Sequence, residues 1–364
     1  MLDLSLSQIS FAYGKSSRVI ADATFRVEKN AHAALVGPPA CGATTLLRII
    51  AGELRPASGE VRIGTREVTA LAPRRRPILH ITSAMDAPSR WSVRHLLVAA
   101  VRQRSLDRED RRHELELAAR RWRLDALMER RLSTLSSTEW TLAALARVEL
   151  LRPGILLADR VLERVSPSML PWICDQWFRV LRIMGTTVLL APSSTLEQGW
   201  IDSLIVLEEG RMVQQGTPSE VFRHPATSAA AEATGEVNRI PVTIRSGEVE
   251  SAIGSWRVAE SNPDGRQMAL TRPDDFSIAA RGEESDVILA VEEASFRGGA
   301  WHVRGMLTGG LELRVVLPRM AQIHKGRLIP LRYDPAGFHL VPLAADEMMP
   351  EAVRPSLPSL RESR

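Results

Sequence analysis

Nine residues, Gly37-Pro38-Pro39-Ala40-Cys41-Gly42-Ala43-Thr44-Thr45, have types and spacing that could do chemistry. They keep the spacing of a phosphate-binding loop, G-x-x-x-x-G-K-[ST]. In such a loop the glycines let backbone N–H groups close on phosphate, and the lysine adds charge. Gly37, Gly42 and the hydroxyl of Thr44 are present, but Ala43 stands where the lysine is expected. A phosphate loop must follow a strand and open a helix. The apolar run Ala33–Val36 comes before it, and the helical run Thr44–Ala51 comes after. The same nine residues also fit an ordinary tight turn, with Thr44 and Thr45 as helix caps.

The elements that would position this loop read as an α/β core with a helical insertion. Met1 to about Arg76 holds strand-like segments at Leu4–Phe11 and Ala33–Val36. From about 77 to 132, apolar residues recur at helical spacing. Leu96, Leu97, Val101, Leu117, Trp122, Leu124 and Leu127 are expected on one buried face. Ile155–Ala158 and Thr187–Leu190 are short apolar runs suited to buried parallel strands. Ile205–Val213 reads as a hairpin turning at Gly210. Beyond Asn238, short alternating segments such as Leu311–Leu317 lie between glycines and prolines, as in a small all-β barrel. The expected domains are therefore 1–237, 238–345 and a disordered tail at 346–364.

Composition narrows the class. A chain of 364 residues accommodates two or three domains, and its 45% hydrophobic and 25% charged residues are ordinary for a soluble globular protein. No apolar run is long enough to span a bilayer, and the first residues do not read as a signal peptide. Two cysteines, Cys41 and Cys174, make no disulfide framework and have no metal-site spacing. The net charge of +4 owes much to arginines between Arg102 and Arg131, read as a solvated helical surface.

Longer motifs carry a resemblance. The stretch Leu47–Val61 resembles the L-x-x-I-A-G-L-x-x-P-x-S-G-x-V of ABC ATPases, and Gly210–Pro218 resembles their G-R-I-x-Q-x-G-T-P. Asn238-Arg239-Ile240-Pro241 matches the start of an extra C-terminal barrel of the kind called TOBE. Arg272-Pro273-Asp274-Asp275 and Leu331–Pro335 resemble that barrel's R-P-E-D and R-x-D-P. Together these cover nearly the whole chain. They resemble the maltose/polyamine/sulfate-type importer ATPases, which implies a P-loop NTPase-type α/β fold plus an OB-like barrel.

The resemblance also assigns sites. It implies that Tyr13 stacks on adenine and that Gly37, Pro38, Ala40, Gly42, Ala43, Thr44 and Thr45 line the phosphates. Thr82 falls at the nucleotide-sensing glutamine. The resemblance also implies Thr44 and, through water, Asp159 as weak Mg²⁺ ligands. The L-S-G-G-Q signature becomes Leu135-Ser136-Ser137-Thr138-Glu139, keeping Ser136 and placing an acid near a phosphate site. The catalytic glutamate is replaced by Arg160 and the switch histidine by Pro192. Losing the lysine's charge-assisted hydrogen bond weakens binding by about ten- to a hundred-fold. Losing a general base lowers the rate by about 10²–10⁴.

The resulting expectation is a subunit of an ABC importer, on the cytoplasmic face of the cell membrane, with ATP and Mg²⁺ binding weakened or lost. Its partners would be a second, competent ATPase, in a heterodimer rather than a homodimer, and transmembrane permease subunits docked near Met85–Trp91. Two alternatives stand beside it. One is an ordinary active ATPase. The other is a binding module that uses the OB-like barrel, although nucleic acid is an unfavoured ligand. Single-strand binders need aromatic platforms, and the aromatics there are sparse: Trp256, Phe276, Phe296, Trp301, Tyr333 and Phe338.

Overall fold

The computed structural model describes residues 2–14, 18–83, 87–259, 262–280, 283–307 and 310–343. Met85 and the tail read at 346–364 lie outside the described residues. The chain divides into two compact units, Met1–Val221 and Phe222–Arg364.

The first unit runs β1 (Leu4–Ala12), β2 (Arg18–Val27), β3 (His32–Val36), α1 (Ala43–Ala51), β4 (Ser58–Ile63), β5 (Arg66–Glu67), β6 (Ile78–Thr82) and α2 (Val93–Val101). It continues α3 (Arg108–Arg121), α4 (Ser137–Leu151), β7 (Ile155–Asp159), α5 (Leu170–Met184), β8 (Thr187–Ala191), β9 (Ser203–Glu208) and β10 (Arg211–Gly216). The central sheet has the order β10-β9-β3-β8-β7-β6 and is parallel except for the β9–β10 hairpin. β3, β7 and β8 are buried along their whole length, which explains their unbroken apolar runs. A second, antiparallel sheet has the order β2-β1-β4-β5. Leu46, Leu47, Ile49 and Ile50 of α1 share one core with Leu4, Ile9 and Phe25 of that sheet and Leu35, Leu157 and Leu189 of the central one.

Local chemistry fixes the ends of these elements. Gly52 closes α1 in a left-handed conformation at φ 85°. There Arg76, 6% exposed, donates to the carbonyls of Ile49 and Ile50 as well as to those of Leu71 and Thr69. A cation at that end complements the helix dipole. Glu209 and Gly210, both at positive φ, form the two-residue turn between β9 and β10.

The helical stretch begins after β6, which is the edge strand of the central sheet and not part of the insertion. Leu96, Leu97, Val101, Trp122 and Leu124 are buried as expected. Leu117 is not: it is 41% exposed, and Leu115, Ala118 and Ala119 form the inner face of α3 instead. The arginine-rich sequence of α3 masks which of its few apolar residues point inward. Trp122 donates through Nε1 to the buried carboxylate of Glu149 at 2.7 Å, and Arg121 pairs with the same group.

A short helix, α6 (Pro218–Arg223), spans the division between the units. The second unit continues with α7 (Ser228–Thr234), β11 (Asn238–Arg245), β12 (Glu248–Ser251), β13 (Gly254–Arg257), β14 (Gly265–Thr271) and β15 (Phe276–Ile278). It ends with β16 (Val287–Arg297), β17 (Ala300–Leu307), β18 (Glu312–Pro318), β19 (Leu328–Tyr333) and β20 (His339–Pro342). Its strands pair only antiparallel, in the orders β13-β12-β11-β14-β20 and β15-β19-β16-β17-β18, and curl into a nearly closed barrel. Arg272 is 9% exposed. It donates to the carbonyls of Phe222, Ala231, Gly235 and Glu236 and to the Thr234 hydroxyl, with its guanidinium 4.1 Å above the Phe222 ring.

Candidate phosphate-binding site

The carboxyl ends of β3, β8, β7 and β6 lie side by side, where parallel α/β sheets form their ligand crevices. β3 leads into Gly37, β8 into Pro192, β7 into Arg160 and β6 into Ser83. Strand register sets Thr82 beside Asp159, and Asp159 beside Ala191. The topology therefore gathers residues from four distant stretches at one edge.

Glycine is obligatory at both ends of the loop. A Cβ on Gly37 would meet the Leu207 carbonyl oxygen at 2.0 Å, and one on Gly42 would meet Ile20 Cδ1 at 2.4 Å with φ at 102°. Pro38 is half-buried, and Ala40 is exposed at φ 66°. Gly42 is the N-cap of α1. No side chain caps this helix, and its first turn holds no acid. Neither Thr44 nor Thr45 therefore serves as the cap. An uncapped N-terminus with no nearby acid favours an anion. Ala43 brings only a half-buried methyl group.

Thr44 Oγ1 donates to Asp159 Oδ1 at 3.2 Å, and Asp159 is 8% exposed. These two oxygens suit a hard cation that takes its other ligands from water and phosphate, so the donor set fits Mg²⁺. Tyr13 is 44% exposed, packs edge-on to Phe11 at 4.8 Å and places its hydroxyl 3.4 Å from Thr45 Oγ1. Its ring sits beside the loop rather than in the core. Burial pushes the Cys41 thiol up, with the Ala43 N–H partly offsetting it, so the thiol is not activated.

Arg160 takes a left-handed conformation at φ 49°, and its N–H donates to the Ala191 carbonyl at 2.9 Å. Its guanidinium pairs with Glu163 at 3.2 Å, both side chains being about half exposed. Pro192 is half-buried and offers no hydrogen-bonding side chain. Thr82 and Ser83 line a small cleft with Trp140, Thr141, Ala144 and Val161.

The start of α4 is different from the start of α1. Ser136 caps α4 by accepting from the Glu139 N–H at 3.3 Å, and Glu139 accepts from the Ser136 N–H at 2.7 Å. That N–H holds the Glu139 carboxyl below the usual range, with the charge of Arg130 helping. The Thr138 hydroxyl accepts from the Ser166 N–H at 3.2 Å. Glu139 is therefore a reciprocal cap satisfied within the chain.

Sequence reasoning missed two groups that hold the elements around the site. Arg76 clamps α1 through contacts with residues up to 27 positions away, which no local pattern shows. Glu197, 2% exposed just past Pro192, accepts from the N–H groups of Ser193 and Ser194 at 2.8 and 3.1 Å. Burial pushes it up to about 7. The S-x-x-E spacing of Ser194 and Glu197 was the available signal.

Residues 20–162 match the family described as ABC transporter. Over 332 residues, 88% of this chain and 90% of the relative, the sequence is 29% identical to a sulfate/thiosulfate import ATP-binding protein of Chromobacterium violaceum. It is 24% identical to an Fe(3+) ions import ATP-binding protein of Escherichia coli, over 94% of this chain and 98% of that one. Among solved structures, cbiO1 of Clostridium perfringens, part of the ABC transporter complex cbiONQ, superposes with a TM-score of 0.54 at 20% identity. That match covers 60% of this chain and 90% of cbiO1, and is a likeness of fold.

Proposed function

From the premise that this chain belongs to the ABC transporter ATP-binding family, as an importer-type subunit, we propose that it binds ATP weakly and does not hydrolyse it. It serves as the structural or regulatory half of a pair with a competent ATPase. The pair docks on permease subunits at the cytoplasmic face of the membrane, and no described helix is long and apolar enough to cross one. Its barrel, of the TOBE kind, is regulatory.

One observation carries this reading. At the carboxyl end of β7, where a carboxylate would have to orient or deprotonate water, the chain places a guanidinium paired with Glu163. No general base follows Asp159, and Pro192 supplies none from the next strand. The start of α4 adds support, because the Ser136 and Glu139 N–H groups are spent on each other's side chains and are not offered to a phosphate. Thr44 and Asp159 would hold Mg²⁺, which when bound neutralises charge on phosphate oxygens. The residues of this chain would bind and orient phosphates without moving a proton.

Reading the chain as an ordinary ATPase draws on the retained Thr44–Asp159 pair. A binding module built on the barrel draws less support. Trp256, Phe276, Tyr333 and Phe338 pack on one another, with the rings of Tyr333 and Phe338 stacked at 5.1 Å, rather than forming an open platform.

Phosphate release from purified protein with ATP and Mg²⁺ separates these readings. The expected rate equals that of an Asp159→Ala control. A turnover of about 1 s⁻¹ or more, within the usual range of enzymes, would overturn the proposal.

A further inference from the structure

We propose that Arg160 supplies, to the β- and γ-phosphates of a nucleoside triphosphate on the α1 loop, the positive charge that Ala43 does not. The inference rests on the nucleotide-binding reading above and names the residue that would make it possible.

Position is the first argument. The loop and the end of β7 are joined by the Thr44–Asp159 hydrogen bond of 3.2 Å, and Arg160 is the next residue along. The second is the backbone. A non-glycine residue at φ 49° is strained, and such strain persists where the surroundings impose it. Here the Arg160 N–H is held by the Ala191 carbonyl at 2.9 Å, which fixes the side chain's point of departure at the crevice edge.

The third argument is that the guanidinium is available. Among the described residues its ion-pair partner is Glu163, at 3.2 Å, with side-chain exposures of 57% and 45%. An exposed pair of that kind contributes little and exchanges readily. A phosphate offers the same fork-like guanidinium a stronger, bidentate partner. The fourth is the surrounding charge. No acid lies in the first turn of α1, and the Glu139 carboxylate is engaged by Ser136 and Arg130. The lost lysine and the lost glutamate thus become one exchange: a cation leaves the loop and another arrives beside Asp159.

The test is a fluorescence titration of the full chain with a trinitrophenyl-labelled ATP and the matching ADP, both with Mg²⁺. Native, Arg160→Gln, Arg160→Lys, Ala43→Lys and the Ala43→Lys/Arg160→Gln double variant are compared, with circular dichroism melting as a folding control. The native chain is expected to bind the triphosphate. Arg160→Gln should weaken it by about ten-fold or more, Arg160→Lys by less, and the diphosphate should be affected less than the triphosphate. Adding Ala43→Lys to Arg160→Gln should restore affinity.

Equal binding by native and folded Arg160→Gln chains would overturn the role of Arg160 and leave nucleotide binding standing. Binding that appears only with Ala43→Lys would also overturn it, since the loop would then be sound but lack its cation. No binding in any variant would overturn the nucleotide-binding reading itself.

Discussion

Ser136 and Glu139 hold each other across the first turn of α4. The serine hydroxyl accepts from the Glu139 N–H at 3.3 Å, and the Glu139 carboxylate accepts from the Ser136 N–H at 2.7 Å. Two of the N–H groups at this helix start are therefore already bonded. Arg130 pairs with the same carboxylate at 3.2 Å.

Removing the cap should weaken the first unit. Glu139→Ala leaves the Ser136 N–H without its partner and takes a favourable negative charge from the helix start. A loss of about 1 kcal/mol is expected in urea unfolding followed by far-ultraviolet circular dichroism. An unchanged midpoint would show that solvent replaces the cap at no cost.

Glu197 makes stability fall as pH rises toward neutrality. Its carboxyl is pushed up to about 7 from an ordinary 4.5 because burial outweighs the Ser193 and Ser194 N–H groups. A raised acid contributes stability that is full below pH 4.5 and lost as pH rises through 7. The gap corresponds to about 3 kcal/mol. Glu197→Gln keeps an acceptor for both N–H groups and removes the titration. Because His32 acts in the opposite sense below pH 6.5, the readout is the difference: the urea midpoint of the variant minus that of the native chain should grow in the variant's favour as pH rises from 5 to 8.

His32 gives the opposite slope in acid. Its ring is fully buried, 5.6 Å from the Phe178 ring, and both ring nitrogens lack hydrogen-bond partners among the described residues. Burial lowers it from 6.5 to about 4, with Arg182 adding to the effect and Asp202 opposing it. The stability held above pH 6.5 is therefore lost as pH falls through 4, by about 3 kcal/mol in all. His32→Phe should flatten the acid limb of the profile; an identical limb would place its cause elsewhere.

In the second unit, Arg272→Met would leave four carbonyls and the Thr234 hydroxyl short of a donor. At least about 3 kcal/mol should be lost, since bonds to a charged group are among the stronger ones. Limited proteolysis should then cut between Phe222 and Glu236, a stretch the native guanidinium gathers up. Protection equal to the native chain would mean that α7 holds the stretch alone.

Much of this arrangement was legible from sequence because it is local. The glycines at 37 and 42, the buried runs of β3, β7 and β8 and the Gly210 turn each follow a short-range rule, and each recurs in the fold. What stayed hidden depends on residues far apart. The Thr44–Asp159 bond joins positions 115 apart, and the left-handed backbone of Arg160 has no signature in an arginine codon. Leu117 was misplaced because α3 has too few apolar residues to set a phase. The Ser136–Glu139 pair is a different case. S-x-x-E is a helix-start pattern in its own right, and comparing it with another motif hid what it does locally.

The central position of β3 has a consequence in time. This strand, finished at Val36, pairs with β8 and β9, whose residues begin at Thr187 and Ser203. At the usual 5–20 residues per second of synthesis, its partners emerge about ten to thirty seconds later. Helices α2 to α4, whose contacts are closer in sequence, can collapse meanwhile. The loop after β3 therefore gains its shape only when the ribosome has passed β9, and until then the apolar run of β3 waits without a sheet to enter.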